Sequence, residues 1–193
     1  MGRIIFLDII NAVWDYGWYA LVFAALIISI VLFAISLYKI RKGQSRKDFI
    51  RHNRYSLMLV YVLLVYLFLV ISITLLSRPT GSRGGIDLIP FSTFSSNLLN
   101  NRYPFENILL FIPYGFIVPN LWAPLRKAYF CIGTGLGFSL CIELIQLITK
   151  RGFFQLDDIL TNAAGTVIGY AVFYILINAI QFKRKIEKKQ TGI

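Results

Sequence analysis

The chain has 193 residues, of which 57% are hydrophobic and 15% charged, well under the roughly one-quarter charged content of soluble domains. That excludes an ordinary soluble enzyme, and a mean hydropathy of +0.67 excludes disorder, because side chains this apolar do not stay in water. A formal charge of +11 suits nucleic acid or the anionic inner face of a membrane; the hydropathy decides for the membrane, so no nucleic-acid partner is expected.

Residues 1–16 contain Asp8 and Asp15 inside an apolar run and no small-residue cleavage site follows, so they are not expected to be a signal peptide. Residues 4–14 read as a short interfacial helix, with Trp14, Trp18 and Tyr19 at headgroup level. Residues 17–38 and 56–76 carry no charge, and each meets the span of about 20 residues needed to cross the hydrocarbon core. The 39–55 connection holds seven Lys and Arg together with His52, the single histidine. One histidine excludes Ser-His hydrolases and His-clustered metal sites, and among Arg51, Arg54 and Lys47 it reads as part of a solvated basic loop.

The next connection, 77–91, places Arg78 and Arg83 around Gly81, Gly84 and Gly85. Glycines free to take positive φ allow backbone N–H groups to form an anion nest, so the loop reads either as a phosphate site or as a plain connector. Asp87-Leu88-Ile89-Pro90-Phe91 beyond it reads as an ordered turn re-entering the interface. Residues 105–122 contain Glu106, Asn107, Pro113 and Pro119 and read as a kinked third span, since neighbouring helices can satisfy carbonyls freed by proline. Residues 128–149 form a fourth span and 158–180 a fifth; Cys131 and Cys141, ten positions apart in the fourth, lie roughly 15 Å apart on a helix and cannot bridge.

Fourteen of the twenty Lys and Arg residues fall in the 39–55 and 123–127 connections and the tail from 183. The positive-inside rule then puts the N-terminus outside and the C-terminus in the cytoplasm. The expected fold is an all-α integral membrane protein of about five transmembrane helices. Most carboxylates (Asp8, Asp15, Asp87, Glu106, Asp157, Asp158) fall on the outer side, and Glu143 sits roughly 10 Å below the outer end of the fourth span.

Ser139, Glu143 and Gln146 share one stripe of the fourth span, and Asp158, Asn162, Gly165 and Gly169 one stripe of the fifth. With Asn107 they come to similar depths if the helices pack through Gly133, Gly137, Gly165 and Gly169. An ionisable residue inside a span costs several kcal/mol unless it is paired or faces a cavity. Glu143 therefore either ties helices together, through Asn162 or Arg151, or lines an outer-leaflet cavity for an amphiphile; a proton or ion relay is a third reading.

Four segments carry a resemblance: Asp87–Phe91, Glu106–Gly115, Ile142–Gln146 and Asp157–Gly165 occur in the order and spacing of the VanZ-like family of Gram-positive membrane proteins. The resemblance covers roughly residues 56–180, so the chain divides into a 1–16 interfacial segment, 17–55 with the first span and its basic loop, a 56–182 VanZ-like core and a 183–193 basic tail. The family takes its name from a protein that raises tolerance to the lipid-tailed glycopeptide teicoplanin, which implies a role at the cell envelope. By motif match its polar positions fall on Glu106, Asn107, Glu143, Gln146, Asp158 and Asn162. Asp87 stands where the family often has Asn, and Gln155 where an acid is common.

These readings converge on an envelope protein binding membrane lipid, a lipoglycopeptide or a lipid-linked cell-wall precursor through Glu106, Asn107, Glu143, Gln146, Asp158, Asn162, Arg78, Arg83 and Asp87, with no cofactor. The alternatives are an enzyme acting on a polyprenyl-phosphate or glycolipid headgroup, with the two arginines on phosphate, and a small transporter or flippase, which would require a homo-oligomer.

Overall fold

A computed structural model describes residues 2–41, 46–81, 84–94 and 102–191. The fold is all-α. Among the described residues are five helices, α1 (Gly2–Arg41), α2 (Arg46–Ile71), α3 (Arg102–Leu121), α4 (Ala128–Thr149) and α5 (Leu156–Thr191), with a π-helical turn at Ser72–Leu76, a 3-10 turn at Ala123–Arg126 and two paired two-residue strands, β1 (Ile86–Asp87) and β2 (Phe154–Gln155). Among the described residues four segments are long and apolar enough to cross a membrane: Val13–Leu32, Arg54–Leu76, Ala128–Thr149 and Leu156–Glu187. The chain is a multi-pass membrane protein. Helix α3 has the length, 20 residues, but Arg102, Glu106, Asn107 and its prolines lower its hydropathy.

Two elements differ from the sequence reading. Residues 4–14 are the opening turns of the continuous 40-residue α1 and not a separate helix. The basic 39–55 segment belongs largely to the ends of α1 and α2, because Lys and Arg are good helix formers and a helix need not stop where its apolar stretch does.

The chain divides into two compact units, Met1–Ile86 with Ile142–Phe154, and Asp87–Cys141 with Gln155–Ile193. In the first, α1 packs on α2. Buried Ala20 and Ala24 supply the small side chains that let helices approach in lipid. Phe23 meets Phe68 with ring centroids 5.1 Å apart, and the Tyr61 hydroxyl donates to the Leu21 carbonyl at 3.4 Å. Helix α2 ends in the π-turn, where Ser77 N–H bonds the Ser72 carbonyl at 2.9 Å.

In the second unit α3 and α5 run parallel. A β-carbon on Gly165 would overlap the Ile108 carbonyl, one on Gly169 the Ile112 carbonyl, and one on Gly115 the Thr166 carbonyl, so the contact advances along both helices together. The first part of α4 runs antiparallel to them: Cys131 lies by Gly115, Gly135 by Thr166 and Ser139 by Asn162. Sequence reasoning assigned close packing to Gly133 and Gly137, but both face open space, and Gly115 and Gly135 make the approach instead. Pro119 has no N–H for the Gly115 carbonyl four residues back; the Cys131 thiol lies 3.9 Å from that oxygen and offers a weak donor. Phe111, Tyr114 and Phe138 form an aromatic cluster with centroids 5.6–6.2 Å apart.

Candidate polar site

The sequence-predicted residues separate between the two units. Asn107, Asp158 and Asn162 belong to the second unit, with Glu106 and Asp87. Asn107 Nδ2 donates to Asp158 Oδ1 at 2.8 Å, linking α3 to the first turn of α5. One turn deeper, Asn162 Nδ2 donates to Ser139 Oγ at 2.9 Å. Asn162 is 5% exposed, and its Oδ1 is buried with no partner among the described residues. Thr161 and Thr166 are also buried, but their hydroxyls bond carbonyls four residues back in their own helix and offer less to a ligand.

Asp87 has both carboxylate oxygens engaged inside its own turn, accepting from Ile89 N–H at 3.1 Å and from the Ser92 hydroxyl at 2.7 Å. Asp157, which sequence reasoning passed over in favour of Asp158, is 2% exposed. It accepts from Phe91 N–H at 2.6 Å, Thr93 N–H at 2.9 Å and the Thr93 hydroxyl at 2.7 Å. The signal for it was present: of two acids opening a helix, one is free to cap an incoming loop when the other faces a neighbouring helix.

Glu143, Gln146 and Arg78 belong to the first unit. Glu143 is 2% exposed. Gln146 Nε2 donates to the Thr74 carbonyl at 2.9 Å, while its Oε1 is buried with no partner among the described residues. The guanidinium of Arg78 and the amide of Gln146 both press on Gly152, where a β-carbon would fall 3.0 Å from Arg78 Nη1 and 2.9 Å from Gln146 Oε1. Arg151 bonds the Leu75 carbonyl through Nη1 at 2.7 Å and the Thr80 hydroxyl through Nε at 3.2 Å. Two side chains from the α4 end thus satisfy carbonyls that the π-turn leaves open.

The glycine loop does have the positive φ that its composition anticipates, at Gly81 (φ 78), but the Gly81 N–H points to the Thr149 carbonyl at 3.4 Å and not into an anion nest. Arg83, the other expected phosphate ligand, lies outside the described residues. Among the described residues no three His, Cys, Asp or Glu side chains are grouped to hold a metal ion.

The profile of the VanZ/LLP1 family matches residues 55–177, from the start of the second span through most of α5, and takes in all four segments that carry the resemblance. The chain belongs to the VanZ/LLP1 family. No curated protein and no solved structure matches it. The VanZ/LLP1 match contains the Asn107–Asp158 and Ser139–Asn162 pairs, the Asp157 clamp and the Gln146 and Arg151 caps, and excludes α1. In chemical terms this VanZ/LLP1 chain carries buried amides and carboxylates, Asn162, Gln146, Glu143 and Asp157, in helices that are otherwise largely apolar.

Proposed function

We propose that this VanZ/LLP1 protein lies in the bacterial cell membrane, N-terminus outside and C-terminus in the cytoplasm, and engages an amphiphile of the outer leaflet through the polar seam of its second unit. The amphiphile is a lipid-tailed glycopeptide of the teicoplanin type or a lipid-linked cell-wall precursor, and the protein contributes to glycopeptide resistance by holding it. The parallel register of α3 and α5 supports α3 as a fifth crossing, since a helix lying lengthwise along a span shares its path. Charge supports the orientation: of the Lys and Arg in the unit, Arg102 lies at one end, and Arg126, Lys127 and the basic cluster from Lys183 lie at the other.

The observation that carries the reading is Asn162. It stands six residues into α5, roughly 9 Å along the helix, with its amide nitrogen bonded to Ser139 and its amide oxygen without a partner among the described residues. A buried acceptor without a donor costs about 1–3 kcal/mol, and an amide or hydroxyl donor from a ligand headgroup would recover it while the tail stays among apolar side chains. Asp158 and Asn107 lie one turn nearer the start of α5 in the same seam.

The test is binding of teicoplanin, and separately of a polyprenyl-linked cell-wall precursor, to the full chain in lipid nanodiscs. Wild type should bind one of them, and Asn162→Ala should weaken it about 10-fold, the equivalent of one net hydrogen bond, compared at equal folded fraction because the substitution also removes the bond to Ser139. Absence of binding to both, or equal binding by wild type and variant, overturns the proposal.

A further inference from the structure

Residues 87–94 form a turn whose chemistry is arranged unusually for a connector. Its rim is apolar and outward: Leu88 is 58% exposed, Ile89 70% and Phe91 67%. Its backbone donors and hydroxyls are paired within the protein. Every backbone N–H from Ile89 to Phe94 has a partner: Ile89 gives to Asp87, Phe91 and Thr93 to Asp157, Ser92 to the Ile89 carbonyl and Phe94 to the Phe91 carbonyl, while Pro90 has none to give. The Ser92 and Thr93 hydroxyls are bonded to the same two carboxylates.

A loop facing water has no need of such complete pairing, because water serves an open N–H. Lipid does not, and an open N–H is costly at the boundary of a bilayer, where carbonyls can still meet headgroup water. The turn is also held at one end of a membrane-spanning helix. Asp157 lies in the first turn of α5, at the end of the candidate span Leu156–Glu187. Phe91 adopts φ 63, a conformation disfavoured for a bulky residue, and the Asp157 bond to its N–H helps to hold it there with the ring exposed.

We propose that the 87–94 turn is a membrane-inserted element, with Leu88, Ile89 and Phe91 entering the boundary between headgroups and acyl chains beside the N-terminus of α5. The occupant of this apolar surface is lipid, continuous with the lipid around the span. Asp87 and Asp157 act as internal caps that permit insertion, and the rim anchors that end of the helix as interfacial aromatic and aliphatic side chains do. This holds whether or not the polar seam binds an amphiphile.

The test uses the full chain with Cys131→Ala and Cys141→Ala, an added Ile89→Cys carrying an environment-sensitive NBD dye, and vesicles of phosphatidylglycerol and phosphatidylethanolamine. Lys185→Cys in the exposed C-terminal part of α5 is the aqueous reference. With iodide present on both sides of the bilayer, the Ile89 label should emit at shorter wavelength than the reference, be quenched several-fold less by iodide, and be quenched by lipids spin-labelled high on the acyl chain. Emission and iodide quenching equal to the reference would overturn the proposal by placing the rim in water. Protection from iodide without quenching by labelled lipid would overturn it too, by placing the rim against protein. Leu88→Cys provides an independent position should the first variant not fold.

Discussion

Gly165 on α5 lies so close to Ile108 on α3 that a β-carbon on the glycine would overlap the isoleucine carbonyl oxygen. Ala at 165 therefore requires backbone displacement, and Gly169 stands in the same relation to Ile112. Gly165→Ala and Gly169→Ala should each destabilise the protein by about 1–3 kcal/mol or more, as overpacking does. Gly133→Ala and Gly137→Ala, which meet nothing within 4 Å, should be neutral or stabilising by up to about 1 kcal/mol through helix propensity. Thermal unfolding in detergent would compare the four; equal loss at Gly133 and Gly165 would contradict the register of α3 on α5.

Asp157 holds three donors of the 91–93 segment. Asp157→Asn keeps the shape but loses the charge that strengthens those bonds, and should cost about 1.5–3 kcal/mol. The loss should be local. Hydrogen exchange at Phe91, Thr93 and Phe94 should quicken while exchange along α1 is unchanged.

Arg151 serves the Leu75 carbonyl and the Thr80 hydroxyl at once through its planar fork. Arg151→Ala should lower thermal stability by about 1–3 kcal/mol, because a carbonyl at the end of the π-turn loses its donor. Arg151→Lys should restore only part of it, since an ammonium cannot reproduce the paired geometry. Full rescue by Lys would show that charge alone matters there.

Orientation is tested by accessibility on intact cells with Cys131 and Cys141 removed. A cysteine at Ser82 should react with an impermeant thiol reagent, and one at Thr191 should not. Reaction at Thr191 from outside would reverse the topology and move the Asn162 seam to the inner leaflet.

Class, family and four of the five expected spans were legible in the sequence, because a bilayer imposes a length and a polarity on a crossing segment whatever it packs against. The motifs around Glu106, Ile142 and Asp157 were legible for the same local reason: each is a run of neighbours in the chain. Pairings between distant residues were not. Asn107 with Asp158 and Asn162 with Ser139 join positions more than twenty residues apart, and hydropathy carries no information about which face of a helix meets which neighbour. Glycine shows this most sharply. Gly133 and Gly137 look like packing residues and face open space, while Gly115 and Gly135, no different in composition, lie under Thr166. The division of labour between Asp157 and Asp158 was decided in the same way: adjacent residues on a helix point about 100° apart, so the tertiary structure sends one carboxylate to the 91–93 turn and the other to Asn107.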